Sequence, residues 1–190
     1  MKNIFISAFL LSSAAFSPLA LADNHTVSLG YAQSKLQALN TQLKGVNLKY
    51  RYEWDSPLSV IGSMSYLNGN SSHYGDSGSG SDDIDIHAKT KVYSLSAGPA
   101  WRFNDYLSVY GLVGINHTKA DENYVWKRNY VAFLRESYKG NDTSFMYGAG
   151  VQINPVDNIA IDIGYEGTRT KFPGGNFAIN GFNIGVGYRF

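Results

Sequence analysis

Apolar and polar residues alternate along much of this chain with a period of two. Val46, Leu48, Tyr50, Tyr52 and Trp54 interleave with Gly45, Asn47, Lys49, Arg51 and Glu53. The same beat runs through Tyr93, Leu95, Ala97, Pro99, Trp101 and Phe103, and through Phe145, Tyr147, Ala149, Val151 and Ile153. It returns in Ile159, Ile161, Ile163 and Tyr165, and in Phe182, Ile184, Val186, Tyr188 and Phe190. Weaker versions occupy residues 27–32, 60–66 and 107–115, where Leu112 breaks strict alternation. A repeat of two marks strands with unlike faces, so the pattern predicts eight strands. Tight turns rich in Asn, Asp and Pro fall at 54–57, 103–106 and 154–158. Longer connections fall at 35–44, 67–87, 117–142 and 168–177. Three short turns facing four long loops describe an antiparallel up-and-down meander, with both ends of the meander on the short-turn side.

The two faces differ in a way that selects the solvent. A soluble eight-stranded barrel would point its large apolar side chains inward. Here the polar face is mostly Gly, Ser and Ala, which suits a narrow interior, and the apolar face carries Val, Ile, Leu and Phe. Trp54, Trp101, Phe103, Tyr106, Tyr188 and Phe190 cluster at the short-turn ends, as an interfacial aromatic girdle would. A closed sheet leaves no unpaired edge in hydrocarbon. The fold expected is therefore all-β: an eight-stranded antiparallel transmembrane β-barrel with extended extracellular loops.

Composition agrees once the faces are separated. Only 16% of the 190 residues are charged, against roughly 25% in soluble globular chains. Tyr is unusually frequent, at 14, and Gly reaches 20. A mean hydropathy of −0.22 and the lack of any run of 18 apolar residues past the first segment exclude transmembrane helices. Cys is absent, which removes disulfides and thiolate metal sites. Residues 1–22 combine Lys2, an apolar stretch over 4–11 and the small-x-small ending Ala20-Leu21-Ala22. They read as a cleaved secretory signal, leaving residues 23–190 as the barrel domain. Without Lys2, 15 basic and 15 acidic side chains balance.

The alternation points Lys49, Arg51, Glu53, Arg102, Asp162, Glu166 and Arg189 into the barrel. Buried charges persist only when paired, so these residues are expected to form a salt-bridged plug rather than a pore. The second loop, 67–87, is Gly/Ser-rich and acidic, with Asp76, Asp82, Asp83, Asp85, His73 and His87. It fits no EF-hand and reads as a solvated loop, with no metal and no cofactor expected. The third loop reads Asn-Tyr-Val-Trp-Lys-Arg from Asn123, with Tyr130, Phe133, Arg135 and Tyr138 beyond. Tyr124, Trp126, Lys127, Arg128 and Arg135 are its candidate ligand-binding residues, since aromatic and Arg side chains anchor interfaces. The alternative is a hairpin that extends the sheet and packs those aromatics on itself, and both can hold. Lys89, Lys91, Lys119, Lys139, Arg169 and Lys171 form a basic rim suited to lipopolysaccharide phosphates or acidic ligands. No Gly-x-Ser-x-Gly motif supports an enzyme, and no basic stripe or recognition helix supports nucleic-acid binding.

Several segments form a set that is specific when taken together. They include Gly30-Tyr31-Ala32-Gln33-Ser34, Asn47-Leu48-Lys49-Tyr50-Arg51-Tyr52-Glu53 and Ala97-Gly98-Pro99-Ala100-Trp101-Arg102. Tyr147-Gly148-Ala149-Gly150, Asn154-Pro155, Tyr165-Glu166 and Gly185-Val186-Gly187-Tyr188-Arg189-Phe190 complete the set. Together they resemble the Ail/Lom family of enterobacterial outer-membrane proteins, and the resemblance implies an outer-membrane barrel of a Gram-negative bacterium, with loops facing outward and mature termini in the periplasm. It implies adhesion to or invasion of host cells, or resistance to complement killing. The partners implied are outer-membrane lipid and lipopolysaccharide, with host extracellular-matrix or complement-regulatory proteins, bound by a monomer. The alternative within the family is an OmpX-type structural or stress-related protein without a dedicated host ligand.

Overall fold

The computed structural model describes residues 25–37, 41–76, 82–128, 131–172 and 175–190. The signal segment expected at 1–22 lies outside the described residues. Eight strands follow in chain order: β1 (His25–Leu36), β2 (Thr41–Glu53), β3 (Leu58–Asp76), β4 (Asp82–Asn104), β5 (Leu107–Arg128), β6 (Val131–Val156), β7 (Ile159–Phe172) and β8 (Gly175–Arg189). Each pairs antiparallel with its sequence neighbour, and β1 closes the barrel on β8 from Thr26↔Arg189 to Leu36↔Ile179. Closure reaches the last residue, where the His25 and Phe190 backbones exchange hydrogen bonds of 3.0 and 2.9 Å.

The short turns form for a local reason. Asn104 accepts the backbone N–H groups of Tyr106 and Leu107 at 2.9 and 2.8 Å, an Asx turn between β4 and β5. Above the turns, alternation sets the two surfaces. Leu29, Met64, Leu95, Val113, Ile115 and Val186 are exposed on the outside. Trp54, Trp101, Phe103, Tyr106 and Tyr188 ring that surface at the short-turn end. Tyr31, Tyr66, Tyr93, Tyr147 and Tyr165 ring it at the other end, so the belt has aromatics at both borders. That is the outer surface a lipid solvent selects.

The lumen is filled, but not as the sequence alone implies. Its short-turn half is charged. Its long-loop half is capped by Ala32, Leu36, Leu43, Leu67, Val92 and Ile179, with Phe177 packed against them. A smaller apolar cluster joins Ile61, Ala100, Tyr110 and Leu112. Leu112 breaks the alternation because it points inward with that cluster. The barrel is therefore plugged by apolar packing as well as by paired charge.

Strand length creates the second feature. A strand needs about 9–11 residues to cross a bilayer, and β3 to β6 have 19, 23, 22 and 26. The β2–β3 ladder ends at Lys44↔Asn68 and the β6–β7 ladder at Met146↔Thr168. Meanwhile β3–β4 pairing runs on to Asp76↔Asp83, and β5–β6 to Arg128↔Val131. Four strands thus rise beyond the rest as a sheet. This corrects the expectation of a solvated second loop, because most of 67–87 is paired strand. The physical reason lies in Asp83-Ile84-Asp85-Ile86-His87, a short alternation that registers Ile84 against Trp126 and Ile86 against Tyr124.

Candidate functional site

Two assemblies contain the charged and aromatic residues singled out above. The first is inside the barrel. All seven interior charges face the lumen, and six of them fall into two ion-paired groups at successive heights. Nearest the short turns, Glu53 meets Arg51 Nη2 at 2.7 Å, Arg189 Nε at 2.8 Å and the Arg102 guanidinium. Arg51 also donates to Ser59 Oγ at 2.9 Å and Gln152 Oε1 at 2.6 Å. One level higher, Lys49 pairs with Asp162 and donates to Asn183 Oδ1. Tyr110 joins this group by donating to Asp162 Oδ1 at 2.8 Å. It has room to do so because Gly150 and Gly164 lack side chains where its hydroxyl lies. Glu166 sits higher still and accepts from Ser65 at 3.1 Å, Ser63 and Asn183 at 3.3 Å, and Asn47 at 3.4 Å. These pairs and hydrogen bonds reach across the lumen from β2 to β4, β6, β7 and β8.

The second assembly is the sheet extension of β3 to β6. Its outward face continues the lipid-facing surface upward. Past the aromatic border it turns basic. Lys91 and Lys119 are direct cross-strand partners, next to the pairs Lys89↔Asp121 and Asp121↔Lys139. All four lysines are exposed. Lys119 Nζ lies 5.9 Å from the Tyr93 ring centre, at the edge of a cation–π contact. Arg169 and Lys171 are exposed on β7, outside this row. The backbone N–H of Lys171 donates to Asp142 Oδ2 at 2.7 Å, so its strand is tied to β6 above the last ladder pair.

The face of the extension that continues the lumen has the opposite character. Glu122 pairs across with Tyr138, and Tyr124 with Glu136. Tyr124 donates to Glu122 Oε2 at 2.8 Å and Tyr138 to Glu136 Oε2 at 3.2 Å. These bonds to carboxylates hold both phenols above their ordinary pKa, and hence neutral. Their rings meet edge to face at 5.8 Å. A cleft of about 390 Å³ lies between this lattice and the apolar cap, bordered by Leu36, Phe177, Ala120, Glu122, Tyr124 and Tyr138.

The third-loop residues are therefore not one surface. Tyr124 and Trp126 belong to a half-buried face. Lys127 and Arg128 pair through their backbones with Ala132 and Val131, and Arg135 with Val125. The side chains of those three residues lie outside the described residues, as do those of His73, Asp76, Asp82 and Asp83. Glu122, Glu136 and Tyr138 complete the lattice and were not candidates in the sequence reading. Their signal was there, in the period of two that puts Glu122 and Tyr124 on one side and Lys119 and Asp121 on the other.

Comparison with known proteins places this geometry among relatives. The family model described as outer membrane protein beta-barrel domain matches residues 5–190. The chain is 43% identical over 197 residues to the virulence membrane protein PagC of Salmonella typhimurium, with 100% of both chains covered. It is 38% identical over 192 residues to outer membrane protein X of Escherichia coli K12, again with 100% of both covered. Among solved structures, Ail, the attachment invasion locus protein of Yersinia pestis, superposes with a TM-score of 0.66 at 34% identity. That structure holds the heparin analogue sucrose octasulfate, and the match covers 88% of this chain and 99% of the other.

Proposed function

Because the chain belongs to the outer membrane protein beta-barrel family, we propose that it sits in the outer membrane with its sheet extension outside the cell. His25 and Phe190, side by side at the short-turn end, then lie on the periplasmic side. It acts there in host interaction, through adhesion or invasion, through resistance to complement killing, or through both. The observation that carries this reading is the four-stranded extension with its basic outward row. Like charges directly opposite, as at Lys91↔Lys119, weaken a strand pair unless an anion lies between them. Nearest the bilayer the row suits lipopolysaccharide phosphates, with Arg169 and Lys171 serving the same purpose on β7. Higher up it suits acidic glycans, the chemical class of the sulfated sugar on the related Ail structure. The upper parts of β3, above its ladder with β2, and of β6, above its ladder with β7, are edges suited to adding a strand from a host protein.

We read the protein as a binder rather than an enzyme, and as a monomer, since its outward face is suited to lipid all round. The test uses a laboratory strain expressing the full chain. Serum survival and adhesion to matrix-coated plates should rise. Replacing Lys89, Lys91 and Lys119 together with Gln should return both toward background at equal surface level. Adhesion and survival unchanged by expression would favour the structural, OmpX-type role instead.

A further inference from the structure

The extension presents opposite chemistries on its two sides, and the proposed function uses only the basic one. Over the lumen, the Glu122, Tyr124, Glu136 and Tyr138 lattice stands above a cleft whose floor is Leu36 and Phe177. We propose that this cleft binds an arginine side chain presented by a basic peptide segment of a partner. Three features of the cleft match three parts of that side chain. The apolar floor suits the methylene stem, which long cationic side chains bury while their heads stay polar. The two tyrosine rings, set edge to face at 5.8 Å, offer a π surface for a planar guanidinium. Glu122 supplies charge at the border of the cleft, and Glu136 stands behind the Tyr138 hydroxyl. A carboxylate has about four lone-pair positions, and each tyrosine hydroxyl uses one, so acceptor capacity remains for a forked donor. At about 390 Å³ the cleft lies within the ordinary range for a small ligand site. Lys139 also borders the cleft, but it belongs to the outward row, registered opposite Asp121. The two faces then sort ligands by sign, anions outside and cations inside.

The test uses the full chain folded in uncharged detergent micelles. The probes are a tri-arginine peptide and its tri-citrulline counterpart, which keeps the shape without the charge. The arginine peptide should bind, and the citrulline peptide should bind at least about tenfold more weakly, as a lost charge-assisted contact predicts. Glu122→Gln and Tyr138→Leu should each weaken arginine-peptide binding by about tenfold. Sucrose octasulfate binding should stay unchanged in both variants, which separates this site from the basic row and shows that both variants fold. Equal binding of the two peptides, or arginine-peptide affinity unchanged in either variant, would overturn the proposal. Loss of sulfated-sugar binding in the Lys89, Lys91 and Lys119 variant, with peptide binding intact, would support two separate sites.

Discussion

At the short-turn end of the lumen, Glu53 meets Arg51, Arg102 and Arg189; at the long-loop end, Leu36, Leu43, Leu67, Val92 and Ile179 pack against one another. Both regions fill the same barrel, yet they constrain the sequence differently. In the charged half the identity of each group matters, because a cation left without its partner in a dry interior is costly whatever its size. In the apolar half volume matters, because any apolar side chain of similar bulk restores the contacts. The same lumen is thus specified by chemistry at one end and by packing at the other.

Near-isosteric substitutions separate the two regimes most sharply. Glu53→Gln keeps the shape but removes the charge shared by three arginines. It should cost about 3–5 kcal/mol, the penalty of breaking a buried ion pair from one side. Leu43, fully buried in the cap, should tolerate Met for less than about 1.5 kcal/mol. Urea midpoints, read from the fraction of unheated protein that keeps the folded gel mobility, measure both. Comparable losses for the two substitutions would erase the distinction.

The next effect is a cavity. Leu43→Ala should cost about 3 kcal/mol, from lost apolar transfer plus the void left behind. Single-channel recording on the same variant sharpens the comparison. The charged network below the cap should still hold the lumen closed, and the variant should not conduct. Steady conductance in Leu43→Ala would mean that the apolar cap, not the ion pairs, is the barrier to ions.

The charged half and the lipid-facing belt were legible in the sequence for one reason. Alternation assigns every second residue to a face, and Lys49, Arg51 and Glu53 in one strand announce a polar interior. The apolar cap was less visible. Leu43, Leu67, Val92 and Ile179 look like outward residues wherever local alternation is weak, and only the register across strands places them inside. The extension was half legible. The third loop reads as a hairpin from its aromatics, while the second is masked by Gly and Ser around the Ile84 and Ile86 alternation. The split of the third loop into an acidic, aromatic face and a basic one is written in its period of two, but which face continues the lumen comes from the pairing. Composition mixes what the strand separates.

The smallest effect lies where the barrel gives way to the extension. Asp142 accepts hydrogen bonds from Ser144, from Thr170 at 3.0 Å and from the Lys171 backbone at 2.7 Å. These donors hold its carboxyl below the ordinary aspartate value. A depressed folded-state pKa means the tie is fully present above the unfolded value and is lost as pH falls through the folded one. Because Asp142 is only partly buried, the effect on global stability is small, and its mark is local. Amide exchange at Lys171, corrected for intrinsic pH dependence, should be slow at neutral pH. It should speed up below about pH 4, near the reference aspartate value. Asp142→Asn should show the faster exchange at every pH, with barrel amides such as Leu48 and Ile163 unaffected. Exchange at Lys171 that ignores both changes would show that β7 is held to β6 by the ladder below Met146↔Thr168 alone.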